Sequence, residues 1–328
     1  MRGAEIAGRI LEMLRGSKGY LSGVEMSKVL GISRSAIWKH IRSLRREGYK
    51  IEAKPASGYR LVAVPSHLTT WEIQAGLGTQ VFGHRIHAFS QVDSTNEVAF
   101  RLAMEGAKEG EVVVAEAQTR GKGRMRRSWE SPLGFNIYLS LILRPKIPPS
   151  RIPLITLMAA VASAEAIEEV TALAPTIKWP NDLLTRRRKL GGILTEADME
   201  MDRINFVILG IGINVNMPRN FFPLPLKDRA TSLREELGRE ISRAVLIQAL
   251  LRKMEVWYRR LSENKGGELR QRWEDLSQVK GREVEVSFMG EMIKGKALGI
   301  DEDGALLVQE AGGRVKRIVA GDVRVAGW

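Results

Sequence analysis

The sequence predicts an α+β protein built from several domains, and three observations support this. Its 328 residues exceed the length at which a single small core is expected. The spacing of apolar residues is helical near the N-terminus, mixed in the middle and strand-like near the C-terminus. Positive charge is concentrated in the first fifth of the chain. We therefore predict domains spanning residues 1–65, 66–275 and 276–328.

The composition narrows the class of protein. A hydrophobic share of 44% and a charged share of 27% are those of an ordinary globular protein. The net charge of +13 indicates polyanionic partners such as nucleic acid or nucleotide phosphates, although a basic surface also serves solubility. The absence of cysteine excludes disulfides, thiolate metal sites and a cysteine nucleophile. We expect a cytoplasmic protein without a membrane segment, because the first residues lack the apolar stretch of a signal peptide.

The first 65 residues have the pattern of a winged helix-turn-helix. Apolar residues at helical spacing predict a helix over 4–14, and the capping box "SGVE" opens a second helix that Gly31 ends. Ser33 is the expected cap of a third helix with a cationic polar face. The segments "YKIEAK" and "YRLVA", joined by "PASG", predict a hairpin. Thirteen lysines and arginines against five acidic residues give this region a net charge of +8.

The third helix is the candidate DNA-recognition element, because such helices place their N-terminal residues in the major groove. We predict that Arg34, Ser35, Trp38 and Lys39 contact base edges. We predict that Arg42 and Arg45 contact phosphates. Trp38 is also compatible with a place in the core. The alternative for the region is a protein-interaction module, or a winged helix that no longer binds DNA.

The rest of the chain predicts two further domains. Strand-like runs at "RIHAF", "EVVVAE", "FNIYLSLIL", "GGILTE" and "INFVILGIGINV" alternate with helical runs over 96–104, 152–170 and 241–261. This pattern predicts a central α+β sheet domain. After Gly281, the runs "EVEVSF", "MIKGKALGI", "ALLVQE" and "RVKRIVAGDVRV" predict four strands of a small SH3-like β-barrel.

A glycine-containing basic segment, "QTRGKGRMRRSWESP", connects two of the predicted central strands. Five cations fall within eight residues, namely Arg120, Lys122, Arg124, Arg126 and Arg127. A loop whose ends are held by a rigid sheet is a common ligand site. The alternatives are a solvated cationic loop, or a single-stranded nucleic-acid contact with Trp129 as the stacking platform.

Five motifs follow one another in a specific order: "DSTN" from Asp93, "QTRGKGR", "KWPND" from Lys178, "KLGGILTE" from Lys189 and "GIGINV" from Gly210. Each is weak alone, since "PND" is a turn signal and glycine pairs often mark bulges or close packing. In this order the chain resembles the biotin protein ligases, and specifically the bifunctional group with a DNA-binding domain, over almost its whole length. The resemblance implies a central mixed-sheet domain similar to the class II synthetases.

The resemblance implies a two-step reaction. Biotin and ATP, with Mg²⁺, give biotinyl-5'-adenylate and pyrophosphate, and the biotinyl group then passes to a lysine of a biotin carboxyl carrier protein. Because a carboxylate must attack a phosphate, preorganised cations and N–H donors are needed to offset the developing charge. The family's glycine-rich loop supplies both and closes over the adenylate, which shields it from water.

The resemblance also implies which residues take part. The catalytic residues are Lys189, Arg124 and Asp182, of which Asp182 helps to deprotonate the acceptor lysine. The biotin contacts are Ser94, Thr95, Asn96, Gln118, Gly121, Lys122, Gly123, Arg124, Lys189 and Gly191. The nucleotide contacts are Lys122, Arg124, Trp129, Asn181 and Asn214. Mg²⁺ comes with ATP, near Asn181, rather than in a protein cage. Ser94 and Glu97 also fit a capping box that opens the following helix.

Two positions depart from the family's loop, which reads Gly-Arg-Gly-Arg and, after one residue, Gly-Arg. Lys122 replaces the first arginine, so the charge is kept but the planar fork is lost. Arg126 replaces a glycine and disfavours a positive φ at that position. We expect the closed loop to differ in shape or to retain adenylate less well.

The family's bifunctional members also imply a homodimer, promoted by biotinyl-5'-AMP, that represses transcription at operator DNA. Three alternatives remain at this point. The first is a lipoate or octanoate ligase, which shares the central fold. The second is a ligand-sensing regulator without catalysis. The third alternative is a ligase whose N-terminal domain does not bind DNA.

Overall fold

The computed structural model of the protein describes residues 3–201, 203–263, 265–288 and 290–326. The chain forms two compact units, which meet in sequence between Gly76 and Leu77. The first unit extends past residue 65 because the segment after the hairpin packs onto it. Trp71 Nε1 donates to the Glu47 carboxylate at 2.9 Å, and the Tyr49 hydroxyl lies 2.9 Å from that of Thr69.

The first unit is the winged helix that the sequence predicts. Its elements are the helices α1 (Gly3–Gly16), α2 (Gly23–Leu30), α3 (Arg34–Arg46) and α4 (Thr70–Gln74) and the antiparallel strands β1 (Lys50–Lys54) and β2 (Gly58–Ala63). The Ser22 and Ser33 hydroxyls accept from backbone N–H groups of the first turns of α2 and α3. Gly31 ends α2 with a φ of 65°, a conformation that glycine adopts without steric cost. Ser22 and Ser33 are therefore confirmed as N-caps, and the turn and the hairpin are confirmed as well.

The central part of the second unit is a seven-stranded mixed sheet. Its strands are β3 (Ile86–Phe89), β4 (Val112–Ala115), β5 (Ile137–Leu143), β6 (Thr176–Lys178), β7 (Asp182–Thr185), β8 (Arg188–Glu200) and β9 (Arg203–Ile213), in the order β3-β4-β5-β9-β8-β7-β6. β3 and β4 are parallel, and the other neighbouring pairs are antiparallel. The five predicted strands are confirmed, whereas the short β6 and β7 were not predicted.

Five helices accompany this sheet: α5 (Thr95–Met104), α6 (Ile152–Thr171), α7 (Leu233–Leu237), α8 (Arg243–Ser262) and α9 (Gly266–Leu276). The three predicted helices are confirmed as α5, α6 and α8. The stretch Pro149–Thr171 is long and apolar enough to cross a membrane, but most of it is buried inside the fold. It packs against α8, so it is the core helix of this unit.

The C-terminal part is a five-stranded antiparallel sheet. Its strands are β10 (Glu283–Phe288), β11 (Glu291–Ile300), β12 (Leu306–Gln309), β13 (Val315–Ile318) and β14 (Asp322–Val325), in the order β13-β12-β11-β10-β14. This arrangement agrees with the predicted SH3-like domain. The prediction of one last strand is wrong, because the chain turns at Gly321, whose φ is 152°, and β13 and β14 pair with different partners. Trp179 Nε1 donates to the Gly304 carbonyl at 3.2 Å, which joins this sheet to the central one.

Candidate active site

A cavity of about 1000 Å³ lies between the central sheet, the basic loop and the start of β14. It brings together most of the residues that the resemblance implied: Ser94, Thr95, Asn96, Gln118, Lys122, Gly123, Arg124, Trp129, Asn181, Asp182, Lys189 and Asn214. Apart from Trp129, these residues come from the five motifs and are spread over more than a hundred positions of the chain. Thr95 and Gln118, which contact each other, form a neutral polar part of the cavity, and Lys122, Arg124 and Lys189 add cations to its lining.

Gly121 and Gly191 do not line the cavity. A Cβ on Gly191 would lie 2.9 Å from the Gly212 carbonyl oxygen, whereas one on Gly192 would face Lys189 and Trp129 at 3.3 Å. Successive residues of a strand point to opposite faces, so the neighbour of the predicted glycine faces the cavity. A Cβ on Gly121 would lie 2.7 Å from Ser131 Oγ, so this glycine allows the two ends of the basic loop to approach.

The Trp129 ring packs against the backbone of two glycines, Gly192 and Gly212, in the central sheet. A Cβ on Gly212 would come within 2.5 Å of this ring, and one on Gly192 within 3.3 Å. The Lys189 ammonium lies 5.4 Å from the centroid of the same ring, which is within the range of a cation–π contact. The ring Nε1 is buried and has no hydrogen-bond partner among the described residues. The two glycines thus provide the flat surface that a large aromatic ring requires.

Asp182 is held between two lysines. Lys189 Nζ lies 2.6 Å from one carboxylate oxygen, and Lys178 Nζ lies 3.2 Å from the other. Burial alone would raise the pKa of Asp182, but the two ammonium groups outweigh it, so the pKa is lowered. Lys178 was not singled out from the sequence, although it opens the "KWPND" motif. It faces Asp182 because the hairpin of β6 and β7 pairs these two positions.

Arg120, Lys122, Arg124 and Arg127 of the basic loop each have a partner. Arg124 donates to Asn181 Oδ1 at 3.1 Å and to the Gly321 carbonyl at 3.3 Å, and burial lowers its pKa. Arg127 forms an ion pair with Asp322 at the start of β14. The C-terminal sheet therefore holds one side of the loop, which the sequence did not indicate.

Lys122 pairs with Glu97 and lies 3.7 Å from Glu196. The hydrogen bond to Glu97 raises the pKa of Lys122. The predicted capping box of Ser94 and Glu97 is therefore wrong. Ser94 makes no side-chain cap bond, and Glu97 pairs with Lys122 of the basic loop instead. The buried Ser94 hydroxyl lines the cavity.

The loop takes up a left-handed backbone at the position where the family has glycine. Arg126 has a φ of 58°, and Met125 before it has a φ of 54°. The expectation that Arg126 would keep the loop from a positive φ is wrong. A non-glycine residue in this region costs about 1 kcal/mol or more, so the loop holds this shape against a local strain.

Three side-chain amides that line the cavity are held in place by hydrogen bonds. Gln118 Oε1 accepts from the Thr95 backbone N–H at 2.8 Å, and its Nε2 donates to Ser131 at 2.9 Å. Asn181 Nδ2 donates to the Ile193 carbonyl at 2.8 Å. Asn214 Nδ2 donates in the same way to the Thr231 carbonyl at 3.0 Å. Their orientations are therefore fixed by backbone groups.

The predicted DNA-binding residues lie on α3. Arg34, Ser35, Lys39 and Arg42 are exposed. Trp38 is half exposed, so it is not a core residue, and the Arg42 guanidinium lies 5.5 Å from its ring centroid. Arg45 donates from Nε and Nη2 to the Ile51 carbonyl at 2.9 and 2.6 Å. This arginine therefore holds the hairpin to α3.

The fold and the site together define a class of protein, a ligase domain of the biotin and lipoate type on a chain that also has a helix-turn-helix. Family models match three parts: "Biotin/lipoate A/B protein ligase family" over residues 88–214, "HTH domain" over 8–60 and "Biotin protein ligase C terminal domain" over 280–325. The chain is 44% identical over 306 residues to the bifunctional ligase/repressor BirA of Bacillus subtilis, covering 93% of this chain and 94% of that one.

The BirA of Escherichia coli is 32% identical and covers 89% of this chain and 88% of its own. Among solved structures, the biotin protein ligase from Aquifex aeolicus in complex with biotin and ATP is similar with a TM-score of 0.64 at 32% identity. That match covers 74% of this chain and 98% of the other. The chain belongs to the biotin protein ligase family, in its bifunctional ligase/repressor group.

Proposed function

We propose that this protein is an ATP-dependent biotin protein ligase and a biotin-responsive repressor. The observation that carries the ligase function is one cavity, whose lining combines a neutral, hydrogen-bonding part at Thr95 and Gln118 with the cations Lys122, Arg124 and Lys189. Biotin has the same polarity: its ureido ring is uncharged, and its carboxylate is an anion. A bound biotin therefore directs its carboxylate toward the cations.

In the first step a carboxylate oxygen of biotin attacks the α-phosphorus of ATP. The bond between this phosphorus and the bridging oxygen to the β-phosphate breaks, and pyrophosphate leaves. Charge develops on the phosphoryl oxygens during this exchange, and preorganised cations that face it lower the barrier. Lys189 and Arg124 supply them, and Trp129 beside Lys189 offers a face for the adenine.

In the second step the amine of the carrier lysine attacks the carbonyl carbon of the mixed anhydride, AMP leaves, and the amine loses a proton. Asp182 is a weak proton acceptor while two lysines lower its pKa. When Lys189 turns to the adenylate, Asp182 loses the nearer of its two cations. We infer that it becomes a better acceptor only once adenylate is present, so that the charge on Lys189 links the two steps.

We propose that Mg²⁺ enters with the phosphates of ATP, whose charge it offsets. Among the described residues no group of three or more histidines, cysteines or carboxylates is placed to hold a metal. The Asp182 carboxylate is occupied by lysines. The side-chain donor that fits is Asn181 Oδ1, which already accepts one hydrogen bond from Arg124 and has a second lone pair.

We infer further that the adenylate promotes a homodimer that binds operator DNA through α3, and that the acceptor is a biotin carboxyl carrier protein. The exposed basic residues of α3 support the DNA contact. A chain without cysteine requires no oxidising compartment, so we place it in the cytoplasm. Sedimentation with and without biotin plus ATP tests the dimer. An unchanged monomer mass would exclude the coupling.

ATP–pyrophosphate exchange with biotin, lipoate or octanoate as the acid tests the ligase function. We expect exchange with biotin alone. Exchange with lipoate or octanoate would assign the protein to the sister activity instead. Measurable biotin binding without exchange would favour a ligand-sensing regulator. A gel shift with and without adenylate separates the full repressor from a ligase that has lost DNA binding.

A further inference from the structure

A row of hydrogen-bonding side chains runs from Thr95, in the neutral polar part of the cavity, to Glu196. Ser140 Oγ lies 2.8 Å from Thr95 Oγ1 and 2.6 Å from Asn96 Oδ1. Asn96 Nδ2 donates to the Glu196 carboxylate at 2.6 Å. Because Thr95, Asn96 and Ser140 are buried, bulk water does not compete for their protons.

Glu196 fixes the direction of the donors in this row. A carboxylate offers only acceptors, so Asn96 turns its NH₂ group toward Glu196 and its carbonyl oxygen toward Ser140. The carbonyl oxygen cannot donate, so it takes the one proton of the Ser140 hydroxyl. Ser140 must then accept in its contact with Thr95.

The Thr95 hydroxyl also has one proton and two acceptors within reach. Ser140 Oγ is at 2.8 Å, and Gln118 Oε1 is at 3.2 Å. Hydrogen bonds between a hydroxyl and an oxygen are usually shorter than about 3.0 Å, so the proton lies toward Ser140. Thr95 Oγ1 and the second lone pair of Gln118 Oε1 are left as acceptors for a ligand. This part of the cavity is therefore suited to a ligand that donates.

We propose that Ser140, Asn96 and Glu196 are specificity-determining positioning residues. They hold Thr95 as a hydrogen-bond acceptor and thereby select a ring that presents N–H groups, as the cyclic urea of biotin does. The inference rests on the proposed function, because it takes biotin as the ligand. Asn96, which the sequence placed among the biotin contacts, acts here through Ser140 and Thr95.

The chain offers a matched control for Glu196. Both Glu196 and Glu97 are partners of Lys122, but Glu196 is the one that accepts from Asn96. Glu97→Gln therefore weakens the pairing of Lys122 and leaves the row of side chains unchanged. Glu196→Gln affects both, because a glutamine side chain donates as well as accepts and no longer fixes the orientation of Asn96.

The test measures the Kd of biotin, and of two cyclic carbamate analogues in which one or the other ureido N–H is an oxygen, by titration calorimetry. We expect the wild-type protein to bind one carbamate about tenfold or more weakly than biotin, because an acceptor in the site then faces an acceptor in the ligand. Glu196→Gln and Ser140→Ala should bind biotin about tenfold more weakly, with the ratio of biotin to carbamate reduced to about threefold or less. Glu97→Gln should keep the wild-type ratio.

Two results would overturn the inference. One is an equal loss of affinity for biotin and both carbamates in Glu196→Gln and Ser140→Ala, which is what general damage to the site produces. The other is wild-type discrimination in both variants. Glu196 is partly exposed, so Glu196→Gln still tests the inference if Ser140→Ala impairs folding. Failure of the wild-type protein to bind biotin would instead reject the proposed function.

Discussion

The ammonium of Lys189 lies 2.6 Å from the carboxylate of Asp182, so the lysine assigned to the phosphate and the aspartate assigned to the acceptor amine form one ion pair. An incoming anion must compete with Asp182 for Lys189. Lys178, at 3.2 Å, remains with Asp182 when Lys189 leaves, so the carboxylate is never left without a cation. Leaving a buried charge unpaired would carry a large cost.

Lys189→Gln should lower kcat for biotin-dependent ATP–pyrophosphate exchange by about a hundredfold or more, the usual effect of removing one charge-stabilising group. Lys178→Gln removes the other cation from the same carboxylate and serves as the matched variant. Because Lys178 pairs with Asp182 at the longer distance of 3.2 Å and is not assigned to the phosphates, we expect it to affect exchange by less than about tenfold. Equal losses in the two variants would show that both lysines act through Asp182.

The contribution of Asp182 to the free energy of unfolding should depend on pH only in acidic solution. The pKa of Asp182 in the folded protein lies below the ordinary 3.8, so the folded state favours the charged form. The resulting stabilisation is fully present above the unfolded pKa of about 4 and is lost as pH falls through the folded pKa. Denaturant unfolding of the wild-type protein and Asp182→Asn should therefore show a difference that is constant between about pH 5 and 8. A difference that already declines near pH 6 would mean that burial, not the lysines, sets the pKa.

The elements that the sequence predicted correctly are those whose pattern lies within a few neighbouring residues. The longer helices, the caps of α2 and α3 and the hairpin of the first unit follow from periodicity and turn residues. β6 and β7 are three and four residues long, too short to give a period, and they flank a motif that reads only as a turn.

The features around the site that the sequence did not indicate depend on contacts between residues that are distant in sequence. Glu97 has the spacing of a capping residue, yet it pairs with Lys122 on another segment. The choice between Gly191 and Gly192 requires the register of the strand, which the sequence does not contain. The contact of Arg127 with Asp322 joins segments almost two hundred residues apart.

Gly212→Ala should weaken ATP binding more than biotin binding. The added methyl group would lie 2.5 Å from Trp129 Cε2, so the ring must move off the sheet. We expect the KM for ATP to rise about fivefold, with less than a threefold change in biotin affinity, because a displaced aromatic ring forfeits about 1 kcal/mol of stacking. Gly266→Ala, where a Cβ meets nothing within 4 Å, is the control. Parallel losses for both substrates would instead indicate a distorted sheet.

Two substitutions to glycine in the basic loop should have opposite effects on adenylate retention. Arg124→Gly removes the contacts with Asn181 and Gly321, so adenylate should escape and biotinylate bystander lysines. Arg126→Gly removes a strained left-handed residue, so the closed loop should gain about 1 kcal/mol and release less adenylate. Free adenylate and labelling of an unrelated protein measure both effects. If Arg124→Gly modified only the carrier protein, the retention role would be wrong.

Arg42 and Arg45 occupy the same cationic helix but should affect different properties. Arg42 is exposed and packs on Trp38, so Arg42→Ala should weaken binding to duplex DNA at low salt and reduce the slope of log K against log salt by about one. Arg45 donates twice to the Ile51 carbonyl, so Arg45→Ala should lower the free energy of unfolding of the protein by about 1 kcal/mol.

Fluorescence anisotropy with a DNA duplex at several salt concentrations, together with denaturant unfolding of each variant, separates these two effects. The salt slope is the informative quantity, because a loosened hairpin weakens DNA binding without removing a phosphate contact and leaves the slope near that of the wild-type protein. A reduced slope in Arg45→Ala with unchanged stability would mean that this arginine leaves Ile51 to bind DNA. A wild-type slope in Arg42→Ala would remove Arg42 from the DNA-binding surface.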